Sequence, residues 1–147
     1  MDQHFLADHV EGSPGFKPEI WYNPYGDCIE YCLVNEATVA DRIDGVITIY
    51  RSAVDKRPIG FQIKGVRALM ALVDASSVTV EAHERNQTVY RVKVEIAIAA
   101  AVLRSLRDPS AGRHLDRFAN LLQLVPQATE GGKELEIPVS SGEPAIA

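Results

Sequence analysis

A chain of 147 residues has room for one domain, or for a small domain with an extension, and needs no disulfide or metal to hold a core. Hydrophobic residues at 46% and charged residues at 24% are the values of an ordinary globular protein. A formal net charge of −5 argues against a binder of phosphate backbones.

Charge is unevenly spread. Residues 1–74 carry 7 Lys and Arg against 11 Asp and Glu, whereas residues 75–147 carry 8 against 9. Residues 1–17 read as a flexible lead-in, because Gly12-Ser13-Pro14-Gly15 breaks the one amphipathic turn that Phe5, Leu6 and Val10 offer. His4 and His9 are five apart and miss the spacing of a helical metal pair. Met1-Asp2-Gln3-His4 has neither the basic nor the apolar region of a signal peptide. The longest apolar run, Ile96 to Leu103, is far shorter than a membrane span. The expected setting is therefore the cytoplasm, with reduced thiols and no membrane partner.

Residues 18–75 are expected to form an antiparallel β domain. Glu19 to Tyr22 opens it, and Asn23-Pro24-Tyr25-Gly26 has the Pro and Gly positions of a type I turn. Asp27 to Val34 runs back, and Thr38 to Ile43 follows a short loop. Asp44-Gly45 predicts a two-residue type I′ hairpin into Val46 to Arg51. Pro58 suits the start of the next strand, which ends at Gly65. Val66, Leu69, Met70 and Val73 then recur at helical spacing. Period-two alternation puts Ile29, Tyr31, Leu33, Ile47, Ile49, Phe61 and Ile63 on one face. Cys28, Glu30, Cys32, Val46, Thr48, Tyr50, Gln62 and Lys64 fall on the reverse.

Residues 76–139 are expected to pack on that sheet or on a second subunit. Val78 to Val80 reads as a short strand before the polar turn His83-Glu84-Arg85-Asn86. Val89 to Ile98 alternates, yet Ala97 to Leu106 is rich in helix formers, so the helix is placed from about residue 97. Asp108-Pro109 stops it. Leu115, Phe118, Leu122 and Val125 mark a second helix that Pro126 closes. Leu135, Ile137 and Val139 form an edge strand, and residues 140–147 a loose tail. The fold class expected is α+β: an antiparallel β-meander of about five strands with a short helix, then a mainly helical C-terminal half.

Three stretches read together resemble a known family. They are Tyr22-Asn23-Pro24-Tyr25-Gly26-Asp27-Cys28-Ile29-Glu30, Asp44-Gly45-Val46 and Arg57-Pro58-Ile59-Gly60-Phe61-Gln62-Ile63. Their order is similar to that of a widespread uncharacterised bacterial family of small β domains, over residues 19–64. The resemblance implies a fold more than an activity and brings no catalytic residues with it. It also implies small partner-binding proteins, one possible role being an antitoxin-like partner of a small ribonuclease toxin.

Catalytic and metal signatures are sparse. The sequence contains no Gly-rich phosphate loop, nucleophile elbow or zinc spacing. Positions four apart on a strand are about 13 Å apart, so Cys28 and Cys32 neither pair nor chelate one ion. Glu36, Asp41 and Asp44 group around a hairpin, where turn chemistry alone favours Asp. Arg104, Arg107, Arg113, His114 and Arg117 are the one basic concentration, without the interleaved aromatics of a nucleic-acid surface. The expected function is a non-catalytic interaction or regulatory protein, self-associating as a homodimer, with no cofactor and no metal. Ile96, Ile98, Val102, Leu103 and Leu106 are the expected interface. The alternative is a small-molecule-binding protein or enzyme with a pocket at Tyr50, Gln62, Cys28 and Cys32 on the reverse face.

Overall fold

Five short stretches of alternating apolar residues between turn formers build one antiparallel sheet. The structure, a computed structural model, describes residues 16–74, 76, 78–83 and 87–140. The strands are β1 (Trp21–Asn23), β2 (Cys28–Cys32), β3 (Thr38–Arg42), β4 (Ile47–Ser52) and β5 (Pro58–Lys64), in the order β1-β2-β5-β4-β3. The order corrects the expected meander. β3, β4 and β5 do run as neighbours, but β5 closes onto β2, so the β2–β3 link crosses two strands to reach the far edge. Apolar content explains the placement: β2, β4 and β5 supply the buried side chains, whereas Thr38-Val39-Ala40-Asp41-Arg42 is exposed at four of five positions.

Ile29, Tyr31, Ile47, Ile49, Phe61 and Ile63 are all buried on one face, as the alternation predicts, and Leu33 is half-buried. Cross-strand register pairs Ile29 with Ile63 and Tyr31 with Phe61, whose rings sit 5.5 Å apart at 38°. Gly60 lies between β2 and β4, where a Cβ would come within 2.3 Å of the Tyr31 carbonyl oxygen. Only glycine fits there.

Two turns differ in detail from the sequence expectation. The β3–β4 connection is a hairpin, but neither Asp44 nor Gly45 has a positive φ, so it is not a type I′ turn. Instead the Asp44 carboxylate accepts hydrogen bonds from Val46 N and Ile47 N, at 2.8 and 2.9 Å. In the β1–β2 turn, Asn23 Oδ1 accepts from Tyr25 N at 3.0 Å, and Asp27 has φ 50°. That geometry turns Asp27 toward α1 (Val66–Leu69), which continues as a 3-10 turn over Met70–Leu72. Asp27 accepts hydrogen bonds from the Tyr22 hydroxyl at 2.7 Å and from Arg67 N at 3.1 Å, clipping the first hairpin to the helix start.

The second half adds helices and a further sheet. β6 (Val78–His83), β7 (Gln87–Lys93) and β8 (Glu134–Ser140) pair antiparallel in the order β6-β7-β8. The expected strand at Val78 is present, and β8 forms an edge as expected. Three strands stand beside the helices, so this half is mixed, not mainly helical. Between β7 and β8 lie α2 (Val94–Leu106), a 3-10 turn (Ala111–His114) and α3 (Leu115–Ala128). α2 starts three residues earlier than expected because Val94 and Ile98 are also one helical turn apart; both are buried with Ala97 and Ala101. In α3 the buried stripe is Phe118, Leu121, Leu124 and Ala128, leaving Leu115 and Leu122 outside, and Pro126 lies within the helix.

One cluster of buried side chains runs from Ile20 and Phe61 to Phe118, Leu121 and Ile137, drawing on both halves. α3 packs on β4 and β5, β8 lies beside β1, and Arg67 Nε on α1 donates to the Pro138 carbonyl of β8 at 3.1 Å. Among the described residues no helix is long and apolar enough to cross a membrane.

Phe61 sits at the centre of this cluster. Phe61→Ala is expected to destabilise by about 3–5 kcal/mol in chemical denaturation. Gly60→Ala is expected to cost about 1–3 kcal/mol or more through overpacking. A Phe61→Ala loss below about 1 kcal/mol would contradict the packing described.

Candidate functional site

The face of the sheet opposite the core carries polar and aromatic side chains in cross-strand rows. One row runs Trp21, Glu30, Gln62, Thr48, Arg42 across all five strands. Another runs Cys32, Gly60, Tyr50, Ala40. Gly60 has no side chain, so Tyr50 reaches over β5 to Glu30 on β2. Glu30 Oε1 accepts the Tyr50 hydroxyl at 2.8 Å and Gln62 Nε2 at 2.9 Å. Gln62 Nε2 also lies 3.9 Å from Cys28 Sγ. Three of the four residues expected to form a pocket on this face, Tyr50, Gln62 and Cys28, thus meet around Glu30.

Glu30 is the residue that sequence reasoning did not single out, although its position two after Cys28 places it on this face. Cys32 donates to the Val34 carbonyl at 3.0 Å and lines a cleft of about 330 Å³ with Tyr50, Glu30, Trp21 and Phe16. Trp21 and Phe16 are 50% and 42% exposed, so the cleft has aromatic walls open to solvent.

Electrostatics on this face favour protonated groups. Burial, and then the hydrogen bond to the Glu30 carboxylate, push the Tyr50 phenol well above its ordinary value. Burial raises the Cys28 thiol, helped by the Glu30 charge, and burial is also the main cause for Cys32. Nucleophilic thiols are shifted the other way. Both cysteines are free. The arrangement therefore presents a fixed hydroxyl, an amide, a carboxylate and aromatic surface, which suits binding.

The expected interface residues separate. Ile98 is buried in the core of its own chain, and Ile96 and Val102 are half-buried against it. Leu103 and Leu106 reach the surface, 52% and 49% exposed. Leu115 and Leu122 on α3 are exposed too. The acidic group around the β3–β4 hairpin does not converge on one point. Asp41 pairs with Arg51 at 2.8 Å and Arg117 at 3.3 Å, Glu36 takes Ser52 and Arg57, and Asp44 caps backbone. Among the described residues, no three of His, Cys, Asp and Glu gather as metal ligands. His4, His9, Glu84 and Arg85 lie outside the described residues. Within the basic concentration, Arg117 NH1 donates to His114 Nδ1 at 2.9 Å, while Arg104 and Arg107 turn to a different cleft.

Searched against protein-family models, curated proteins and solved structures, the chain matches none.

Raised thiol pKa values leave less thiolate at any given pH, so alkylation is slowed below the ordinary thiol value and recovers only above it. With a maleimide at neutral pH, Cys32 is expected to react ahead of the buried Cys28, and both more slowly than a free model thiol. Rates equal to the model thiol at both positions would contradict the burial described.

Proposed function

We propose that this is a non-catalytic interaction protein that works through protein–protein contacts, self-associates as a twofold dimer and acts in the cytoplasm. The observation that carries this reading is the half-exposed pair Leu103 and Leu106, one helical turn apart on α2. Exposed apolar surface, where it is contiguous, marks contact sites. Leu115 and Leu122 on the following helix extend the same chemistry. An isologous dimer is the commonest way to cover such a surface. The likeness to a small β-domain family supports a partner-binding role, with a small protein such as a ribonuclease toxin as one partner class.

A second reading is favoured by the Phe16, Trp21 and Tyr50 cleft on the reverse face, whose size and aromatic walls suit a small organic ligand. In that case Glu30, held by Tyr50 and Gln62, is the polar anchor.

Light scattering at micromolar concentrations distinguishes a monomer of 16.1 kDa from a species of twice that mass. The dimer is expected, and Leu103→Asp with Leu106→Asp is expected to return it to monomer without loss of secondary structure. A mass that stays at the monomer value as concentration rises would overturn self-association.

A further inference from the structure

We propose that the cleft between the β3–β4 turn, α1 and the last turn of α2 binds a small amphipathic anion: a carboxylate or phosphate monoester head on a short apolar body. Its volume is about 260 Å³, at the lower edge of ordinary ligand sites. The floor is apolar, with Leu69 buried and Val46 and Leu72 half-buried. The rim is cationic. Lys64 comes from the end of β5, Arg104 from the last turn of α2 and Arg107 from its C-cap.

Among the described residues none of these three cations has an ion-pair or hydrogen-bond partner. The carboxylates nearest in sequence spend their hydrogen bonds on their own loops, although the Arg104 charge helps to hold the Asp108 carboxyl below its usual value. Asp44 holds Val46 N and Ile47 N, and Asp108 accepts the Ser110 amide and hydroxyl at 2.8 and 2.7 Å. Favourable interaction with the C-terminal end of α2 accounts for Arg104 and Arg107 but not for Lys64, which arrives from the sheet. Three cations share the rim of one apolar floor, and among the described residues only Arg104 has a carboxylate, Asp108, acting on it, so an anion seated between them is favoured. Guanidinium groups hold carboxylate or phosphate oxygens in paired hydrogen bonds, and the apolar floor then selects a head that carries a hydrocarbon body. This cleft shares no lining residue with the reverse-face cleft and is not lined by Leu103 or Leu106, which neighbour its arginines along the same helix end.

Titration calorimetry with octanoate and with octyl phosphate tests it, against octanol and inorganic phosphate as the body and the head alone. Saturable binding of at least one amphiphile at about millimolar concentration or tighter is expected, with a raised melting midpoint. Which amphiphile binds more tightly separates the carboxylate source from the phosphate one. Octanol and inorganic phosphate are expected to bind at least about tenfold more weakly. Arg104→Ala with Arg107→Ala replaces exposed side chains, so its melting midpoint without ligand should match the parent, and its affinity should fall at least about tenfold. No saturable binding by about 10 mM, equal binding of inorganic phosphate, or full binding by the double variant would each overturn the proposal.

Discussion

The pairing of β2 with β5 is the constraint on which the rest of the molecule depends. It joins two units that are each locally formed, the β1–β2 hairpin and the β3–β4–β5 meander, through residues 28 to 36 positions apart in sequence. Ile29 against Ile63 and Tyr31 against Phe61 stand at its centre, and all four are essentially inaccessible to solvent. Close approach of the two strands is possible because Gly60 offers no side chain to the Tyr31 carbonyl. The same glycine acts on the other face, where its missing side chain lets Tyr50 lie across β5 to Glu30. One residue thus sets both the packing of the core and the geometry of the reverse face.

From this centre the layers follow. The Asp27 clip directs the chain out of the sheet into α1, and the apolar stripe of α3 covers β4 and β5. β8 comes back beside β1 and closes the core at that edge. All of these elements lie on the side of Ile29 and Phe61. On the reverse face the side chains satisfy one another: Tyr50 and Gln62 on Glu30, and Cys32 on a backbone carbonyl. The raised thiol and phenol pKa values on this face run opposite to the shift that a nucleophile needs.

Period two made the core face readable from sequence, because Ile29, Ile47, Ile49, Phe61 and Ile63 fall on alternate positions of their strands. Strand order was not readable, since β2 pairs with a partner chosen by long-range packing that no local pattern encodes. Asp44-Gly45 marked a hairpin correctly, but the side-chain cap by Asp44 supplied the turn without positive φ. In α3 two apolar stripes compete, and packing on β5 selected Leu121 and Leu124 over Leu115 and Leu122. Tyr50, Gln62 and Cys28 were found by face alone, but Glu30 looks on a strand like any solvent-facing acid. Lys64 meets Arg104 and Arg107 only after folding, so the basic run in the sequence could not reveal the cleft they share.

Amide hydrogen exchange followed by NMR tests the central pairing most directly. If β2 and β5 close the sheet, the amides of Ile29 and Tyr31 in β2 and of Phe61 and Ile63 in β5 exchange only through global unfolding, more slowly than those of the edge strand β3. Exchange of the β2 amides as fast as those of β3, with β4 and β5 still protected, would show that β2 is not held by β5 and would contradict the account.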